Sequence, residues 1–379
     1  MDNLKSILYV LPATAVGGAE IRFFNIIKLM KGVRSVVLTQ APVTEYFSAL
    51  GIKVYGFEEY GCFQPMHISV KNIVRYSRAI ADIVKRERVD CIVGIMHTGS
   101  LHVSAARDIF RLKVYPIGTI EGNISAFFEK AGRKLTFIER LLLWYLLRRP
   151  SVIVVPSKGV KDDLEKNFGT DGRKIEVIYN AVEINHVRKL AEEKLDDGAA
   201  YRGKTIVTAC RLNAQKDFST LLRAFKEVRD KMEARLIIVG DGELRDEIIR
   251  NARDLGIENN VIITGFQKNP FPFFKRGDVF VLSSFFEGLP TVVVEALALG
   301  VPVVSSDCQS GPGEIIQNGV NGFLVPVQDY HGMADAIIRI LTDEKIRNEF
   351  VLRGKQRAEF FNAQTMSEDF GKLISRFCR

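Results

Sequence analysis

Short apolar segments rich in β-branched residues recur along the chain and alternate with segments in which apolar residues return every three or four positions. The short segments predict strands buried on both faces, because they lack the alternation expected of a strand with one face in water. The longer segments, such as residues 20–30 and 68–86, predict amphipathic helices. The predicted strands are residues 7–11, 36–39, 54–57, 91–95, 114–118, 152–156, 175–179, 205–209, 236–240, 261–264, 279–283, 301–305 and 322–326.

This alternation of strands and helices occurs twice, on either side of a polar stretch at residues 186–204 that has the composition of a connector. A chain of 379 residues is also too long for one compact core. We therefore expect an α/β protein with two Rossmann-like, doubly wound domains, at residues 1–182 and 183–364, which face each other across a cleft at the carboxyl ends of their sheets. The tail from residue 329 predicts two or three further helices.

Composition and charge indicate which compartment and which kind of partner to expect. The chain is 47% hydrophobic and 26% charged, which is typical of a folded soluble protein, and its five cysteines are scattered, which favours a reducing compartment such as the cytoplasm. Residues 1–190 hold 28 Lys and Arg against 18 Asp and Glu, whereas the remainder holds 25 against 27. The first half therefore carries the positive excess, and an anionic partner is expected there: a membrane surface, a phosphorylated lipid or nucleic acid.

Several loops that follow predicted strands carry groups suited to anions and hydroxyls. Gly17 and Gly18 follow the first strand, where backbone N–H groups could approach an anion or simply form a tight turn. Arg211 and Lys216 follow the strand at residues 205–209, where they could bind a diphosphate or form a solvated basic loop.

Two carboxylates lie close together in the second half. Glu287 follows the strand at residues 279–283, and Glu295 lies eight positions later in an otherwise apolar helix. A carboxylate in such a helix needs a hydrogen-bond partner, either a ligand's vicinal hydroxyls or a buried backbone amide. The next strand leads into a glycine-rich loop that ends in Glu314.

Taken together, these loops resemble the retaining, sugar-nucleotide-dependent glycosyltransferases of family 4, whose two-domain architecture is called GT-B. The segment from Phe286 to Glu295 is similar to that family's Glu-x7-Glu signature. Three other segments resemble the family's motifs: Cys210-Arg211-Leu212 with Lys216-Asp217, Ile178-Tyr179-Asn180-Ala181-Val182-Glu183, and Gly17-Gly18-Ala19-Glu20. Cys210 and Ala181 each stand where the family usually has a glycine.

The resemblance implies roles for these residues. Arg211 and Lys216 would bind the donor diphosphate and offset charge on the leaving group, while Glu295 would bind the ribose hydroxyls. Glu287 would face the donor sugar. The remaining donor-binding residues would be Gly17, Gly18, Gly265, Phe266, Gln267, Gly288, Leu289, Pro290, Thr291 and Glu314. The final helix, about residues 365–379, would cross back to the first domain.

Two side chains are candidates for the acceptor or sugar side. Many relatives have a histidine after the strand at residues 114–118, but this chain has Thr119-Ile120-Glu121-Gly122-Asn123 there. Either Glu121 takes over part of that role or no side chain does. His97, which follows the preceding strand, could approach the cleft or be structural.

No Asp-x-Asp pair occurs in the chain, so we expect no metal and no cofactor besides the UDP-sugar substrate, in agreement with the resemblance. The segment at residues 127–149 combines aromatic residues and leucines with six Lys and Arg. It could lie at an anionic membrane surface or be an ordinary helix packed on the sheet. We expect the first, and hence a peripheral protein at the inner face of the membrane.

The sequence thus predicts a retaining enzyme that moves a hexose or N-acetylhexosamine from a UDP-sugar to a lipid-linked oligosaccharide or to a lipopolysaccharide or capsule precursor. Alternatives are a UDP-sugar epimerase of the same fold and a non-catalytic binding module. Nucleic-acid binding is not expected, because the pI of about 9.1 comes with no recognised nucleic-acid motif.

Overall fold

The computed structural model describes residues 5–13, 17–63, 70–195 and 203–378. The chain divides into two compact units, of which the first comprises Met1–Asn180 with Ala363–Arg379 and the second Ala181–Asn362. Each unit is built around one parallel sheet, so the predicted α/β class is confirmed. Part of the predicted connector, residues 196–202, and the start of the helix predicted at 68–86 lie outside the described residues.

The sheet of the first unit has the strand order β3-β2-β1-β4-β5-β6-β7, with every pairing parallel. Each strand predicted in this half is present, and its ends lie within three residues of the predicted ones. The strands are β1 (Lys5–Val10), β2 (Val33–Thr39), β3 (Lys53–Gly56), β4 (Cys91–Gly94), β5 (Tyr115–Thr119), β6 (Val152–Val155) and β7 (Ile175–Val177).

Helices connect these strands. The segment at residues 127–149 forms two of them, because Thr136 caps a new helix through a capping box with Glu139. The helices are α1 (Gly18–Leu29), α2 (Val43–Ser48), α3 (Val70–Glu87), α4 (Met96–Phe110), α5 (Ile124–Lys130), α6 (Phe137–Arg148) and α7 (Lys158–Phe168).

The second unit repeats the same plan with the strand order β10-β9-β8-β11-β12-β13. The strands are β8 (Lys204–Ala209), β9 (Ala234–Val239), β10 (Val261–Gly265), β11 (Val279–Leu282), β12 (Val303–Ser306) and β13 (Phe323–Val325). The helices are α8 (Ile184–Leu190), α9 (Phe218–Lys231), α10 (Arg245–Asp254), α11 (Phe271–Lys275), α12 (Thr291–Ala298), α13 (Pro312–Ile315), α14 (Tyr330–Thr342) and α15 (Glu344–Glu359). The polar stretch predicted as a connector, residues 186–204, begins within α8.

A last helix, α16 (Ala363–Phe377), belongs to the first unit and packs against α1. The rings of Phe370 and Phe23 meet edge to face at 5.9 Å, and the Ser367 hydroxyl donates to the carbonyl oxygen of Ile26 at 3.3 Å. The predicted tail thus contains three helices.

The end of β4 and the start of α4 are in close contact at two glycines. A Cβ on Gly94 would lie 2.4 Å from the carbonyl of Gly99, which is too close for any side chain. The adjacent Ser100 hydroxyl accepts from the Thr119 amide at 2.8 Å and lies 2.8 Å from the carbonyl oxygen of Met96. This buried serine fixes the carboxyl end of β5 beside that of β4, which positions the loop that holds Glu121.

We predict that Gly94→Ala lowers the free energy of unfolding of the first unit by about 3 kcal/mol or more, because the new methyl group overlaps the backbone of α4. Gly371→Ala in α16 is the matched control. A Cβ there meets no atom within 4 Å, so helix propensity alone should raise stability by up to about 1 kcal/mol. Urea unfolding followed by the fluorescence of Trp144, the chain's single tryptophan, measures both. Equal effects of the two substitutions would contradict the close contact.

Candidate active site

The carboxyl ends of the strands in the second unit carry the loops that the sequence analysis singled out. Parallel strands place all these ends at one edge of the sheet, so residues far apart in sequence meet there. The loops follow β8 at residues 210–217, β9 at 240–244, β10 at 265–267, β11 at 283–290 and β12 at 307–311.

Lys216 and Glu287 form an ion pair between the β8 and β11 loops. The Lys216 Nζ lies 2.6 Å from Glu287 Oε1, and the two side chains are 15% and 10% exposed. Burial by itself would lower the pKa of Lys216, but the charge of Glu287 and the hydrogen bond to it outweigh that effect and raise the pKa. The lysine therefore stays protonated throughout the physiological range.

The backbone around this pair is tied together as well. Asp217, with φ of +47°, caps α9 by accepting from the Thr220 amide and hydroxyl, which sets the position of the preceding Lys216. The Ser283 hydroxyl donates to the carbonyl oxygen of Lys216 at 2.6 Å. The Ser310 hydroxyl donates to that of Glu287, also at 2.6 Å. The β8, β11 and β12 loops therefore form one hydrogen-bonded group around the ion pair.

Arg211 lies in the same group of loops, but its side chain points into solvent. The side chain is 73% exposed, and its guanidinium lies 3.5 Å from the carboxylate of Glu243 in the β9 loop. Its backbone is held closely, because a Cβ on Gly240, where φ is +141°, would lie 1.9 Å from the carbonyl oxygen of Cys210. The structure thus brings Lys216 and Glu287 together and leaves the charge of Arg211 available beside them.

Glu295 lies in α12, four residues after Thr291 and one turn beyond the segment Gly288-Leu289-Pro290. It is half-buried. Desolvation raises the pKa of Glu295 to about 7, although a hydrogen bond from Thr291 opposes the shift. The expected need for a partner is therefore met by a neighbouring hydroxyl and not by a backbone amide.

Gly288, Leu289 and Pro290 are all buried and lie against the β12 loop. A Cβ on Gly311, where φ is +94°, would come within 2.8 Å of the carbonyl oxygen of Gly288. Glu314 follows in α13 and is half-buried. Its carbonyl oxygen accepts from Arg357 at 2.6 Å.

The β10 loop presents Gly265, Phe266 and Gln267. Gly265 has φ of +73°, and its carbonyl oxygen accepts from the amide of Gly240 at 3.0 Å. The Gln267 side chain donates to the carbonyl oxygen of Thr264, whereas the ring of Phe266 is 78% exposed. An aromatic ring this exposed at the carboxyl edge of the sheet is free to stack with a planar ligand.

The first unit has its own set of carboxyl-end residues. Gly17 and Gly18 start α1, and the carboxylate of Glu20 accepts from the amide of Gly17 at 2.8 Å. Burial raises the pKa of Glu20, although its hydrogen bonds to backbone amides oppose the shift. A Cβ on Gly18 would meet no atom within 4 Å, so this position leaves the helix N-terminus open.

Glu121 is engaged by a residue that the sequence analysis missed. Arg22 in α1 is fully buried and donates to both carboxylate oxygens of Glu121, at 2.8 and 3.0 Å, and to the carbonyl oxygen of Ile178 at 2.7 Å. The available signal was an arginine between the apolar residues Ile21 and Phe23 of the predicted amphipathic helix. His97, the second residue of α4, is exposed and is not part of this ion pair.

Comparisons with known proteins agree on one family. The family model for glycosyl transferases group 1 matches residues 192–357, and the model for Glycosyltransferase Family 4 matches residues 16–186. Together they account for most of the chain.

Two relatives from Campylobacter jejuni are similar in sequence. One is N-acetylgalactosamine-N,N'-diacetylbacillosaminyl-diphospho-undecaprenol 4-alpha-N-acetylgalactosaminyltransferase, 30% identical over 63% of this chain and 64% of its own length. The other is GalNAc-alpha-(1->4)-GalNAc-alpha-(1->3)-diNAcBac-PP-undecaprenol alpha-1,4-N-acetyl-D-galactosaminyltransferase, 23% identical over 98% of this chain and 99% of its own. The aligned region of the first is therefore less than two thirds of either protein.

Among solved structures, Anabaena Alr3699/HepE in complex with UDP-glucose superposes with a TM-score of 0.82 at 20% identity, over 98% of this chain and 99% of its own. That likeness establishes the GT-B fold for this chain. No helix in the described part of the chain is long and apolar enough to cross a bilayer.

We predict that Lys216→Met lowers the free energy of unfolding of the second unit by about 3 kcal/mol, because it leaves the Glu287 carboxylate buried without its partner. The double variant Lys216→Met/Glu287→Gln should recover part of that loss. Urea unfolding followed by far-ultraviolet circular dichroism measures both.

The control for this prediction is Lys226→Met, which breaks an exposed pair with Asp230 on α9. That change should cost less than about 0.5 kcal/mol. A loss at Lys216 no larger than the loss at Lys226 would contradict a buried, structure-determining pair.

Proposed function

Because the chain belongs to the family 4 glycosyltransferases with the GT-B fold, we propose that it transfers a hexose or N-acetylhexosamine from a UDP-sugar to a saccharide acceptor, with retention at the anomeric carbon. The observation that carries this proposal is the buried Lys216–Glu287 pair, which lies at the carboxyl edge of the sheet beside the exposed Arg211. A module with no use for a nucleotide-sugar has no need of these charges at this edge.

In this proposal, the ammonium of Lys216 and the guanidinium of Arg211 bind the donor diphosphate. Both groups are cations, so they stabilise the negative charge that develops as the glycosidic bond to the phosphate breaks. The Arg211 side chain is exposed. Lys216, by contrast, is oriented by Glu287. A diphosphate would accept hydrogen bonds from the N–H groups of the ammonium that do not donate to Glu287.

Glu295 binds the ribose hydroxyls, and Phe266 stacks on the base. A carboxylate accepts from two vicinal hydroxyls at once, one on each oxygen, and its charge strengthens both bonds. In the protonated acid one of the two oxygens is a donor and the charge is lost. Gly265 and Gln267 border the base. Glu287, Gly288, Leu289, Pro290, Thr291 and Glu314 surround the sugar, while the amides at Gly17 and Gly18 offer hydrogen-bond donors to the phosphate or sugar.

The proposed reaction proceeds on one face of the sugar, with the leaving diphosphate and the incoming acceptor hydroxyl on the same side. Glu287 is held by Lys216, so it orients the lysine and contacts the sugar rather than attacking the anomeric carbon. On the acceptor side, Glu121 is fixed by Arg22, which keeps its carboxylate in one place to accept from a hydroxyl. His97 is the further candidate on that side.

The acceptor in this proposal is a lipid-linked oligosaccharide, or a lipopolysaccharide or capsule precursor. The two Campylobacter relatives support it, since the names of both contain a diphospho-undecaprenol or PP-undecaprenol saccharide. The structure with UDP-glucose supports the donor class. Such an acceptor places the enzyme peripherally at the cytoplasmic face of the membrane, bound through the basic first unit.

We predict that UDP binds selectively over GDP, CDP and NAD in the presence of EDTA, and that Arg211→Ala weakens UDP binding at least about tenfold, because a charge-assisted hydrogen bond is lost. Isothermal calorimetry measures both. Arg353→Ala, at an exposed arginine on α15, is the matched control and should leave UDP affinity unchanged. Absence of binding by every nucleotide, or a need for a divalent metal, would contradict the donor site as proposed.

A second prediction concerns pH. Since Glu295 has a pKa near 7 and accepts from the ribose as the carboxylate, UDP affinity should rise between about pH 6 and pH 8 as the proton is lost. Glu295→Gln removes the titrating carboxyl group. UDP itself titrates equally in both experiments, so the difference between the pH profiles of UDP affinity for wild type and variant is due to Glu295. Parallel profiles for wild type and variant would show that Glu295 does not contact the ribose.

Products distinguish transfer from epimerisation. With a UDP-sugar and a lipid-linked acceptor, the proposed activity yields UDP and an α-linked product from an α-linked donor, as NMR of the anomeric proton would show. An epimerised UDP-sugar formed without acceptor would identify the epimerase alternative instead.

A further inference from the structure

A basic basin lies in the first unit at the amino ends of β6 and β7, the sheet edge opposite to the one that carries Gly17 and Glu121. It is open to solvent and has a volume of about 600 Å³. Its walls come from the end of α4, the end of α6 and the residue that precedes β7. The charged residues that line it are Arg107, Asp108, Arg111, Arg148, Arg149 and Lys174.

The basin has an unbalanced positive charge. Its one carboxylate, Asp108, already accepts from Arg107 Nε at 2.7 Å, from Arg149 Nε at 2.6 Å and from the Tyr145 hydroxyl at 2.7 Å. Arg111, Arg148 and Lys174 form no salt bridge within the described residues, although Lys174 donates to the carbonyl oxygen of Arg148 at 3.2 Å. A structural ion-pair network would match each cation with an acid, so this arrangement favours an anionic ligand.

Helix α6 begins away from the basin and ends at its rim, and both of its faces are apolar. Leu143, Leu146 and Leu147 are buried against the unit, as in an ordinary helix packed on a sheet. The opposite face is exposed along its length: Phe137 is 80% exposed, Ile138 68%, Leu141 55% and Trp144 51%. Single exposed apolar residues are normal, but four neighbours on one short helix are a patch.

Basic residues lie next to this apolar patch at both ends of α6. Arg140 and Arg148 are exposed on α6 itself, and Arg148 lies over the ring of Trp144 with 5.4 Å between its guanidinium carbon and the ring centroid. Lys134 is exposed just before the helix, where Arg133 pairs with Glu139 of α6 at 2.9 Å. Aromatic and aliphatic side chains flanked by arginines have the chemistry of the boundary between headgroups and acyl chains in a bilayer.

We propose that the exposed face of α6 (Phe137, Ile138, Leu141 and Trp144) together with the basic basin forms a docking surface for an anionic phospholipid bilayer. The apolar side chains enter the acyl boundary, and the basin binds a lipid phosphate through Arg111, Arg148 and Lys174. This inference rests on the membrane part of the proposed function and names its structural basis. It also leaves the opposite edge of the sheet, with Gly17 and Glu121, uncovered by lipid.

Trp144 makes the docking directly measurable, because it is the chain's single tryptophan and lies within the proposed surface. With phosphatidylglycerol vesicles, its emission should shift to shorter wavelength, and brominated acyl chains should quench it. With phosphatidylcholine vesicles, neither change should occur at the same lipid concentration. Raising the salt concentration should weaken the binding, since attraction between exposed charges is screened.

Two variants test the two parts of the surface while keeping the probe. Arg111→Glu/Lys174→Glu should weaken binding to phosphatidylglycerol vesicles at least about tenfold, because each basic residue near an anionic surface contributes severalfold to affinity. Leu141→Glu should abolish quenching by brominated chains. The matched controls lie on α15 of the second unit: Lys345→Glu/Arg353→Glu makes the same charge change, and Leu352→Glu alters a residue that is 58% exposed. Both controls should bind vesicles like the wild type.

The inference is overturned if the wild-type emission does not respond to phosphatidylglycerol vesicles, or if the basin variant binds them as well as its control does. Equal binding to single-stranded DNA and vesicles, lost in the same variant, would identify a general polyanion site and also overturn the lipid assignment.

UDP titration of the same samples separates the docking surface from the proposed transferase site. A protein that binds UDP but not vesicles refutes only the docking surface, whereas one that binds vesicles but no nucleotide refutes only the transferase site.

Discussion

The ion pair between Lys216 and Glu287 is the interaction on which the loops of the second unit depend. Removing two charges from water is costly, and the pair compensates only if both groups are held in good geometry. The structure meets that condition with short hydrogen bonds from Ser283 and Ser310 to the backbone of the same two residues. Lys216 is therefore oriented by Glu287, and Glu287 belongs to the scaffold of these loops as well as to the candidate site.

The first unit has a comparable arrangement. Arg22 joins α1, which follows the first strand of that sheet, to Glu121, which follows β5. Lys216 likewise follows β8, the first strand of the second unit in chain order. It pairs with Glu287 in the loop after β11. In both units, a buried cation after the first strand fixes a carboxylate on a second loop. Preorganised charges of this kind lower the energy needed to reorganise a site around a substrate, which is what electrostatic catalysis requires.

The sheet also separates the functions proposed for the first unit. Its carboxyl edge holds Gly17 and Glu121, to which the proposed function gives roles in the reaction, whereas the basic basin lies at the amino ends of β6 and β7. The positive excess of the first half of the chain, 28 Lys and Arg against 18 Asp and Glu, is thereby partly concentrated in one place. A lipid-linked acceptor would benefit from such a division, because the enzyme could hold the membrane at one surface while the saccharide reaches another.

The sequence by itself determined the two sheets, because strands buried on both faces leave uninterrupted apolar runs, and the ends of the predicted strands were displaced by only a few residues. It also located the loops with Arg211, Lys216, Glu287 and Glu295, since strand ends are visible in the hydrophobic pattern. Only the tertiary structure decided how these side chains pair. Lys216 meets Glu287 across 71 positions while Arg211 stays in solvent, and Arg22 meets Glu121 across 99. Strand order and helix packing set such contacts, and no local pattern records them. The same holds for the basic basin, because its cations come from three separate segments that only the fold brings to one edge.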